Sequence, residues 1–309
     1  MSLVDFIITC ASKIYWREQV GSGSRIWSSI ASSSDGSKLV ACVDNNLSGY
    51  IYTSTNYGVT WTQRAGPKTW QSVVSSSDGT KLAAITSLGD YIYTSTDSGV
   101  TWVAQTGSGI RNWLSIACSS DGVKLAAGYT GSHLYTSTDS GVTWTLSTGL
   151  SNPVQCVTSS SDGTKLAVFD TTGSIWTSAD SGASWTLRTR PVIGTDLRLL
   201  TYSPDGTKLA VVQMGWVSSI YGILLQSSDS GVTWSLSYSF PYNIASISYS
   251  SNGSVIGVAT DSATYISKDS GSTYTEQVLP TTDFSSIAVT PDGTKYAVTA
   301  TDGYIYTYN

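Results

Sequence analysis

Two short polar signals alternate along the chain, and short apolar runs separate them. The first is an Asp-Gly pair followed by a run such as Lys81-Leu82-Ala83. Asp-Gly or Asn-Gly between two apolar runs favours a tight hairpin, because such turns require positive φ angles. Each copy therefore predicts a hairpin between two strands. Its seven copies begin at Asp35, Asp78, Asp121, Asp162, Asp205, Asn252 and Asp292.

The second signal, called the box below, is Ser-x-Asp-x-Gly-x-Thr-Trp. Residues 95–102 are one copy, with Asp97 as its aspartate and Trp102 as its aromatic residue. Two copies are degenerate: Asn56 stands where the aspartate would be before Trp61, and Tyr274 replaces the tryptophan after Asp269. The remaining copies are Asp139 with Trp144, Asp180 with Trp185, and Asp229 with Trp234.

The pair of signals recurs with a period of about 40 to 47 residues, which is the length of a propeller blade. Each repeat is interpreted as four strands, A to D. In the second repeat these are 70–76, 81–86, 91–95 and 101–105. Dense short strands with turn signals and no helical period exclude an α/β barrel.

The chain ends explain why there are seven Asp-Gly turns and six boxes. Residues 16–27 match residues 102–113 in register, so about 14–20 is predicted to be a strand D without its own repeat. Residues 304–309 match residues 91–96, which form a strand C. The sequence therefore predicts an all-β fold, a seven-bladed β-propeller of four-stranded antiparallel blades closed by the N-terminal strand. Residues 14–309 are predicted to be one domain and residues 1–13 an N-terminal extension.

The box resembles the Asp-box, or BNR, repeat of sialidases, sortilin-type receptors, xyloglucanases and the photosystem II assembly propellers. The resemblance covers about residues 14–309. It implies that the boxes are structural and lie away from the binding face. Turn chemistry agrees, because an aspartate accepts backbone N–H groups in its own turn and a glycine permits a left-handed backbone. Six lysines just after the Asp-Gly turns are expected to form a solvated ring on the same face as the boxes: Lys38, Lys81, Lys124, Lys165, Lys208 and Lys295.

Composition and charge argue against several classes of function and partner. The formal net charge is -5, which argues against nucleic acid as a partner. No apolar run is long enough to insert into a membrane. Four cysteines without a C-x-x-C spacing and one histidine predict neither a metal site nor a cofactor. A monomer is expected, and an extracellular, surface or virion location is favoured although no signal-peptide pattern is present.

The resemblance to sialidases raises the question of catalysis. It implies an arginine triad, a Tyr/Glu nucleophile pair and an acidic proton donor. The two glutamates, Glu18 and Glu276, both follow a box-type aromatic residue and are predicted to lie on outer strands. We therefore expect no enzymatic activity. A glycoside hydrolase, the least favoured alternative, would need a carboxylate pair from the loop aspartates Asp44, Asp90, Asp170, Asp196 and Asp283.

The candidate ligand face carries the D–A and B–C loops, opposite the boxes. Arg25, Lys68 and Arg111 each stand two positions before a tryptophan, and these tryptophans are Trp27, Trp70 and Trp113. Core packing is favoured for the tryptophans, but exposure stays open. Trp216 and Tyr221 on an inserted B–C loop, and His133, complete the candidate ligand-binding residues.

The leading hypothesis is a non-catalytic, lectin-like binding module on this face, with a glycan or a protein as its partner. The alternative is a structural or assembly scaffold, on a surface or a virion or in photosystem assembly.

Overall fold

The computed structural model describes residues 16–44, 48–131, 133–191, 196–214, 222–301 and 303–308. Within these ranges lie seven four-stranded antiparallel sheets, and in each the strands pair in the order A, B, C, D. This arrangement confirms the all-β, seven-bladed propeller. The division between an extension and a domain at residues 13 and 14 lies outside the described residues.

The blades are numbered from the first Asp-Gly turn, and in every blade but the fifth the two inner strands are the longer ones. In blades 1 to 7, strand A is Trp27–Ser32, Trp70–Ser75, Trp113–Cys118, Val154–Ser159, Asp196–Tyr202, Ile244–Tyr249 and Phe284–Val289. Strand B is Leu39–Val43, Leu82–Thr86, Leu125–Tyr129, Leu166–Asp170, Leu209–Met214, Ile256–Thr260 and Tyr296–Ala300.

The outer strands are shorter except in blade 5, and strand D is the outer edge of each sheet. In blades 1 to 7, strand C is Ile51–Ser54, Ile92–Ser95, Leu134–Ser137, Ile175–Ser178, Gly222–Ser227, Thr264–Ser267 and Ile305–Tyr308. Strand D is Thr62–Gln63, Val103–Gln105, Thr145–Ser147, Thr186–Arg188, Ser235–Phe240, Thr275–Gln277 and Trp16–Gln19. Two 3-10 turns, Val20–Ser22 and Thr106–Ser108, precede strand A of blades 1 and 3. No helix in the described ranges is long and apolar enough to cross a membrane.

Blade 7 closes the ring with strands from both ends of the chain. Trp16 pairs with Tyr308 and Gln19 with Ile305, in an antiparallel register. The amide of Gln19 donates to the hydroxyl of Thr307 at 2.5 Å. Because Trp16–Gln19 covers the outer edge of Ile305–Tyr308, strand C of blade 7 has no open sheet edge. The predicted closing strand is thus confirmed, over 16–19 within the predicted 14–20.

The hydrophobic core lies in the gaps between neighbouring blades. Trp27, Trp70 and Trp113 are at most 1% exposed, and each begins a strand A. Trp70, for example, packs against Val40, Cys42 and Ile51 of the preceding blade. The question that the sequence left open is therefore settled in favour of the core.

Hydroxyl groups on strand A connect the inner strands of adjacent blades. The Ser115 hydroxyl accepts the Val157 N–H at 3.1 Å, and the Thr158 hydroxyl accepts the Tyr202 N–H at 3.0 Å. Strands A of neighbouring blades belong to different sheets, so their facing N–H groups need side-chain acceptors. This explains why serine and threonine are frequent on the innermost strand.

Candidate functional site

Each box forms a closed hydrogen-bonded turn. One carboxylate oxygen of Asp97 accepts the Thr101 N–H at 2.9 Å and the Ser95 hydroxyl at 2.8 Å. The other oxygen accepts the Thr101 hydroxyl at 2.6 Å. Gly99, at φ 83°, donates its N–H to the Ser95 hydroxyl at 2.8 Å. Asp139, Asp180, Asp229 and Asp269 accept the same set of bonds in their own boxes.

These hydrogen bonds hold the box aspartates in their ionised form. Donation by the hydroxyl and N–H of Thr101 lowers the pKa of Asp97 to about 2. Equivalent donors lower the pKa of Asp180, Asp229 and Asp269 to about 2, and that of Asp139 is lowered in the same way. A carboxyl group with so low a pKa is a poor proton donor at neutral pH. Each of these boxes is therefore a hydrogen-bonded turn whose carboxylate is engaged within the turn itself.

The boxes also fasten one blade to the next. A Cβ added to Gly99 would stand 2.7 Å from Thr53 of blade 1 and 3.1 Å from Leu82 of its own blade, so only glycine fits. The indole N–H of Trp102 donates to the Gly99 carbonyl at 3.0 Å. Trp185 and Trp234 instead donate to the preceding blade, at Ser147 and Thr189.

The two degenerate boxes keep the turn but lose the hydrogen bond of their aromatic side chain. Asn56 accepts the Thr60 N–H at 2.9 Å and donates to the Thr60 hydroxyl at 2.9 Å. Among the residues that the structure describes, the Trp61 indole N–H and the Tyr274 hydroxyl have no hydrogen-bond partner. Asparagine therefore suffices for the turn itself.

The lysines after the Asp-Gly turns are not a purely solvated ring. Lys295 donates to the Asp35 carbonyl at 2.6 Å, and Lys165 donates to the Gly206 carbonyl at 2.7 Å. Each of these lysines crosses to the turn of the next blade, because that turn presents a carbonyl oxygen beside its glycine. The structure corrects the expectation for these two lysines, whose side chains link blades on the box face.

On the opposite face, Arg25 joins two blades. Its backbone pairs with Gly303 in the B–C loop of blade 7. Its half-buried guanidinium donates to the Tyr52 hydroxyl at 3.0 Å and lies 4.6 Å from the centre of that ring. It also donates to the Ser22 carbonyl.

Lys68 and Arg111 meet at Asp90, in the B–C loop of blade 2. The ammonium of Lys68 is 2.7 Å from the Asp90 carboxylate, while the backbone of Arg111 pairs with that of Asp90. Burial alone would lower the pKa of Lys68, but bonds to Asp90 and Tyr93 outweigh it, so the pKa is raised. Arg111 donates to the Tyr135 hydroxyl at 2.8 Å and lies 4.3 Å from that ring centre.

Exposed apolar side chains stand beside these cations, and sequence reasoning missed them. Leu88 and Ile110 are about three-fifths exposed, on the B–C loop of blade 2 and the following D–A loop. The Gly89 N–H donates to the Asn112 side chain at 2.7 Å and so ties the two loops together. The available signal was an apolar residue beside glycine in a polar loop, in Leu88-Gly89 and Gly109-Ile110.

The candidate hydrolase aspartates are engaged in loop contacts. Burial raises the pKa of Asp170, but bonds from Thr172, Asn152, Ser174 and Trp176 outweigh it and lower the pKa overall. Asp90 is paired with Lys68. The backbone N–H groups of Asp44 and Asp283 donate to the carbonyls of Ile26 and Asp261. The side chain of Asp196 lies outside the described residues.

Of the three remaining candidate ligand-binding residues, the structure describes one. His133 lies in the B–C loop of blade 3, half-buried, and its buried Nδ1 has no partner among the described residues. Trp216 and Tyr221 lie outside the described residues. Within the described part of the chain, no group of three or more His, Cys, Asp or Glu side chains could hold a metal ion.

Comparison with known proteins finds similar folds among solved structures. No protein-family model matches the chain, and no curated protein matches it. YCF48 from Cyanidioschyzon merolae superposes with a TM-score of 0.72 at 14% identity, over 96% of this chain and 98% of that one. YCF48 bound to D1 peptide gives 0.68 at 15%, over 96% and 99%.

A GH74 enzyme from Niastella koreensis gives a TM-score of 0.57 at 14% identity, over 89% of this chain and 62% of that one. At such identities the likeness shows the propeller fold alone. The two YCF48 structures match this chain over nearly their whole length, whereas more than a third of the GH74 chain lies outside the match.

Proposed function

We propose that this chain is a non-catalytic scaffold that binds a protein partner through its D–A and B–C loop face. The burial of Trp27, Trp70 and Trp113 is the observation that carries the proposal. A sugar site on this face would use exposed aromatic rings as platforms, and these three rings are in the core. What the face presents instead is half-buried arginine next to exposed aliphatic side chains.

That surface chemistry suits a polypeptide. Arg111 keeps one face of its guanidinium against the Tyr135 ring, which holds it in place beside the exposed Ile110. Arginine is enriched where proteins bind proteins, and the buried centre of such an interface is more apolar than its rim. The likeness to YCF48, one structure of which contains D1 peptide, supports a protein partner over a sugar.

A hydrolase is less well supported, because Asp90 and Asp170 already accept several hydrogen bonds within the loops. A pair of catalytic carboxylates needs one proton donor with a raised pKa. The pKa of Asp170 is lowered instead.

The test is a selection of peptide ligands in parallel with a glycan array, using two matched variants. Ile110→Asp places a charge on the loop face, and Val142→Asp places one on the box face, where Val142 is 63% exposed against 64% for Ile110. We expect saturable peptide binding that Ile110→Asp weakens by about ten-fold or more and Val142→Asp leaves unchanged. Glycan binding without peptide binding, or an equal loss in both variants, would contradict the proposal.

A further inference from the structure

A cavity of about 450 Å³, called the axial mouth here, opens at the centre of the ring beside the Asp-Gly turns. All seven blades contribute to its wall, through the end of strand A and the residues that follow it. Its volume lies in the range of small-molecule sites, which is about 300 to 1,000 Å³. The axial mouth is on the box face, so it is separate from the loop face of the proposed function.

The backbone around the axial mouth forms a belt of hydrogen bonds between blades. The Ser34 N–H donates to the Ser77 carbonyl, and the Ser77 N–H donates to the Ser120 carbonyl, each at 2.7 Å. Four further bonds carry the belt through blades 4, 5 and 6 to the Pro291 carbonyl of blade 7. Because the belt uses main-chain groups of these turns, the side chains are held in fixed positions around the ring axis.

Blades 1 to 4 give the axial mouth a wall of hydroxyl groups. In each of these blades the residue before the aspartate of the Asp-Gly turn is a serine that lines the mouth: Ser34, Ser77, Ser120 and Ser161. Within the part of the chain that the structure describes, these four hydroxyl groups make no hydrogen bond. A serine hydroxyl can donate one hydrogen bond and accept two, so this wall can pair with a ligand that does both.

Blades 5 to 7 give the facing wall a different chemistry. Pro204 and Pro291 stand where blades 1 to 4 have the serine, and the Ser251 hydroxyl of blade 6 already donates to the Pro291 carbonyl at 3.0 Å. Tyr249 and Val289 line the mouth next to them. One half of the wall therefore presents hydroxyl groups, and the other half presents mainly C–H groups.

The charges at the axial mouth favour a neutral ligand. Asp205 lines the mouth, and its carboxylate accepts the Ser203 hydroxyl at 2.5 Å and the Thr207 N–H at 3.0 Å. In blades 1 to 4 an aspartate follows each of the wall serines directly. An anionic ligand would therefore approach several carboxylates, whose repulsion would weaken its binding.

We propose that the axial mouth binds a neutral polyhydroxylated ring, either a monosaccharide or a cyclic polyol. Such a ring carries hydroxyl groups around its edge and C–H groups on its faces, which matches the two halves of the wall. The serine hydroxyls of blades 1 to 4 exchange hydrogen bonds with the edge of the ligand, and Pro204, Pro291 and Tyr249 cover its C–H groups. This site does not depend on the loop face, so the inference and the proposed function can each hold without the other.

The experiment titrates the full chain with D-glucose, D-galactose, myo-inositol and D-glucuronate, followed by saturation-transfer difference NMR. Glucuronate has the ring of glucose and a carboxylate, so it tests the preference for a neutral ligand. Ser120→Trp fills the axial mouth, since the exposed Ser120 lines it. Ser151→Trp is the matched control at an exposed serine on the D–A loop before blade 4.

A second pair of variants changes the hydroxyl group without adding bulk. Ser120→Ala removes one hydroxyl from the axial mouth, and Ser151→Ala is its control on the loop face. Thermal unfolding followed by circular dichroism checks that each variant folds. If Ser120→Trp does not fold, the alanine pair decides.

We expect saturable binding of at least one neutral probe. Ser120→Trp should weaken it by about ten-fold or more, and Ser120→Ala by about three-fold because a hydrogen bond is lost. Both Ser151 variants, and Ile110→Asp on the loop face, should stay within about two-fold of the parent chain. Binding of glucose or galactose would support a sugar, and binding of myo-inositol alone would support a cyclic polyol.

Absence of saturable binding for all three neutral probes would overturn the proposal. Equal losses in the Ser120 and Ser151 variants would also overturn it, because binding would then not depend on the axial mouth. Glucuronate that bound as tightly as the best neutral probe would contradict the preference for a neutral ligand.

Discussion

The aspartates of the boxes and Asp-Gly turns are hydrogen-bond acceptors within their own turns. Asp35, Asp78 and Asp162 accept bonds from a serine or threonine on each side, and these lower their pKa to about 2. The box aspartates share this property. Several hydroxyl and N–H donors in each turn therefore depend on one carboxylate being ionised.

Acid should destabilise the protein in a defined range of pH. The unfolded pKa of aspartate is about 3.9. Because the folded values are lower, the stabilisation is fully present above about pH 4 and is lost as the pH falls towards 2. We expect the melting temperature to drop over that range.

An Asp97→Asn, Asp180→Asn double variant provides the check on this pH dependence. It should melt at a lower temperature at pH 7 and show a shallower drop in acid. Thermal unfolding followed by circular dichroism measures both. Parallel curves for the two proteins would show that these carboxylates are not responsible.

Trp113 should be among the most destabilising residues to truncate. It is fully buried between blades 2 and 3 and packs with Tyr135 and Trp144. Trp113→Ala should lower the free energy of unfolding by about 3–5 kcal/mol. Urea denaturation measures this loss, and the exposed Leu187→Ala is the control, with an expected change of about 0.5 kcal/mol or less. Similar changes in both variants would contradict the inter-blade core.

At the residue scale, the sequence predicts the hydrogen bonds of the turns better than the contacts of the lysine and arginine side chains. The Asp97 turn is local, so its spacing alone indicates the bonds. Lys68 and Asp90 are 22 residues apart, on loops whose approach depends on packing of two blades. The same reason explains why the lysine contacts across blades were missed.

Among the elements, strand A combines two roles. In blades 1 to 3 its first residue, a tryptophan, enters the gap between blades. Serine and threonine hydroxyls of strand A accept N–H groups of the next strand A. Strand boundaries in the second repeat agree with the predicted ones to within two residues, because turn signals flank each strand. The largest difference is in strand D, which begins at Val103, two residues after the predicted start.

Removal of one such hydroxyl should be measurable. Ser115→Ala leaves the Val157 N–H without its acceptor and should cost about 1–3 kcal/mol of stability. Ser34→Ala is the control, since Ser34 is exposed. Chemical denaturation compares them. Equal stability of the two variants would contradict a stabilising role for the strand-A hydroxyls.

For the whole molecule, closure of blade 7 is the feature on which the ring depends. It was predictable because residues 16–27 repeat the pattern of residues 102–113. The exposed apolar pair Leu88 and Ile110 was not, since exposure of a loop residue depends on neighbouring loops. The fold thus follows from local signals that every repeat shares. The proposed binding face follows from loop residues that differ from one repeat to the next.

Deletion of residues 1–20 should open the ring. It removes Trp16–Gln19 and exposes the edge of Ile305–Tyr308. We expect a large fall in melting temperature or aggregation, measured by calorimetry and light scattering. A peptide of residues 14–20 added in excess should restore part of the loss. A truncated chain that stayed monomeric with an unchanged melting temperature would contradict this closure.

Hydrogen–deuterium exchange of the chain with a selected peptide partner tests the proposed binding face most directly. The account predicts slowed exchange in the loops that carry Leu88 and Ile110, and unchanged exchange in the boxes of blades 2 and 3. Protection of the boxes at residues 95–102 and 137–144, with the loops unaffected, would contradict it.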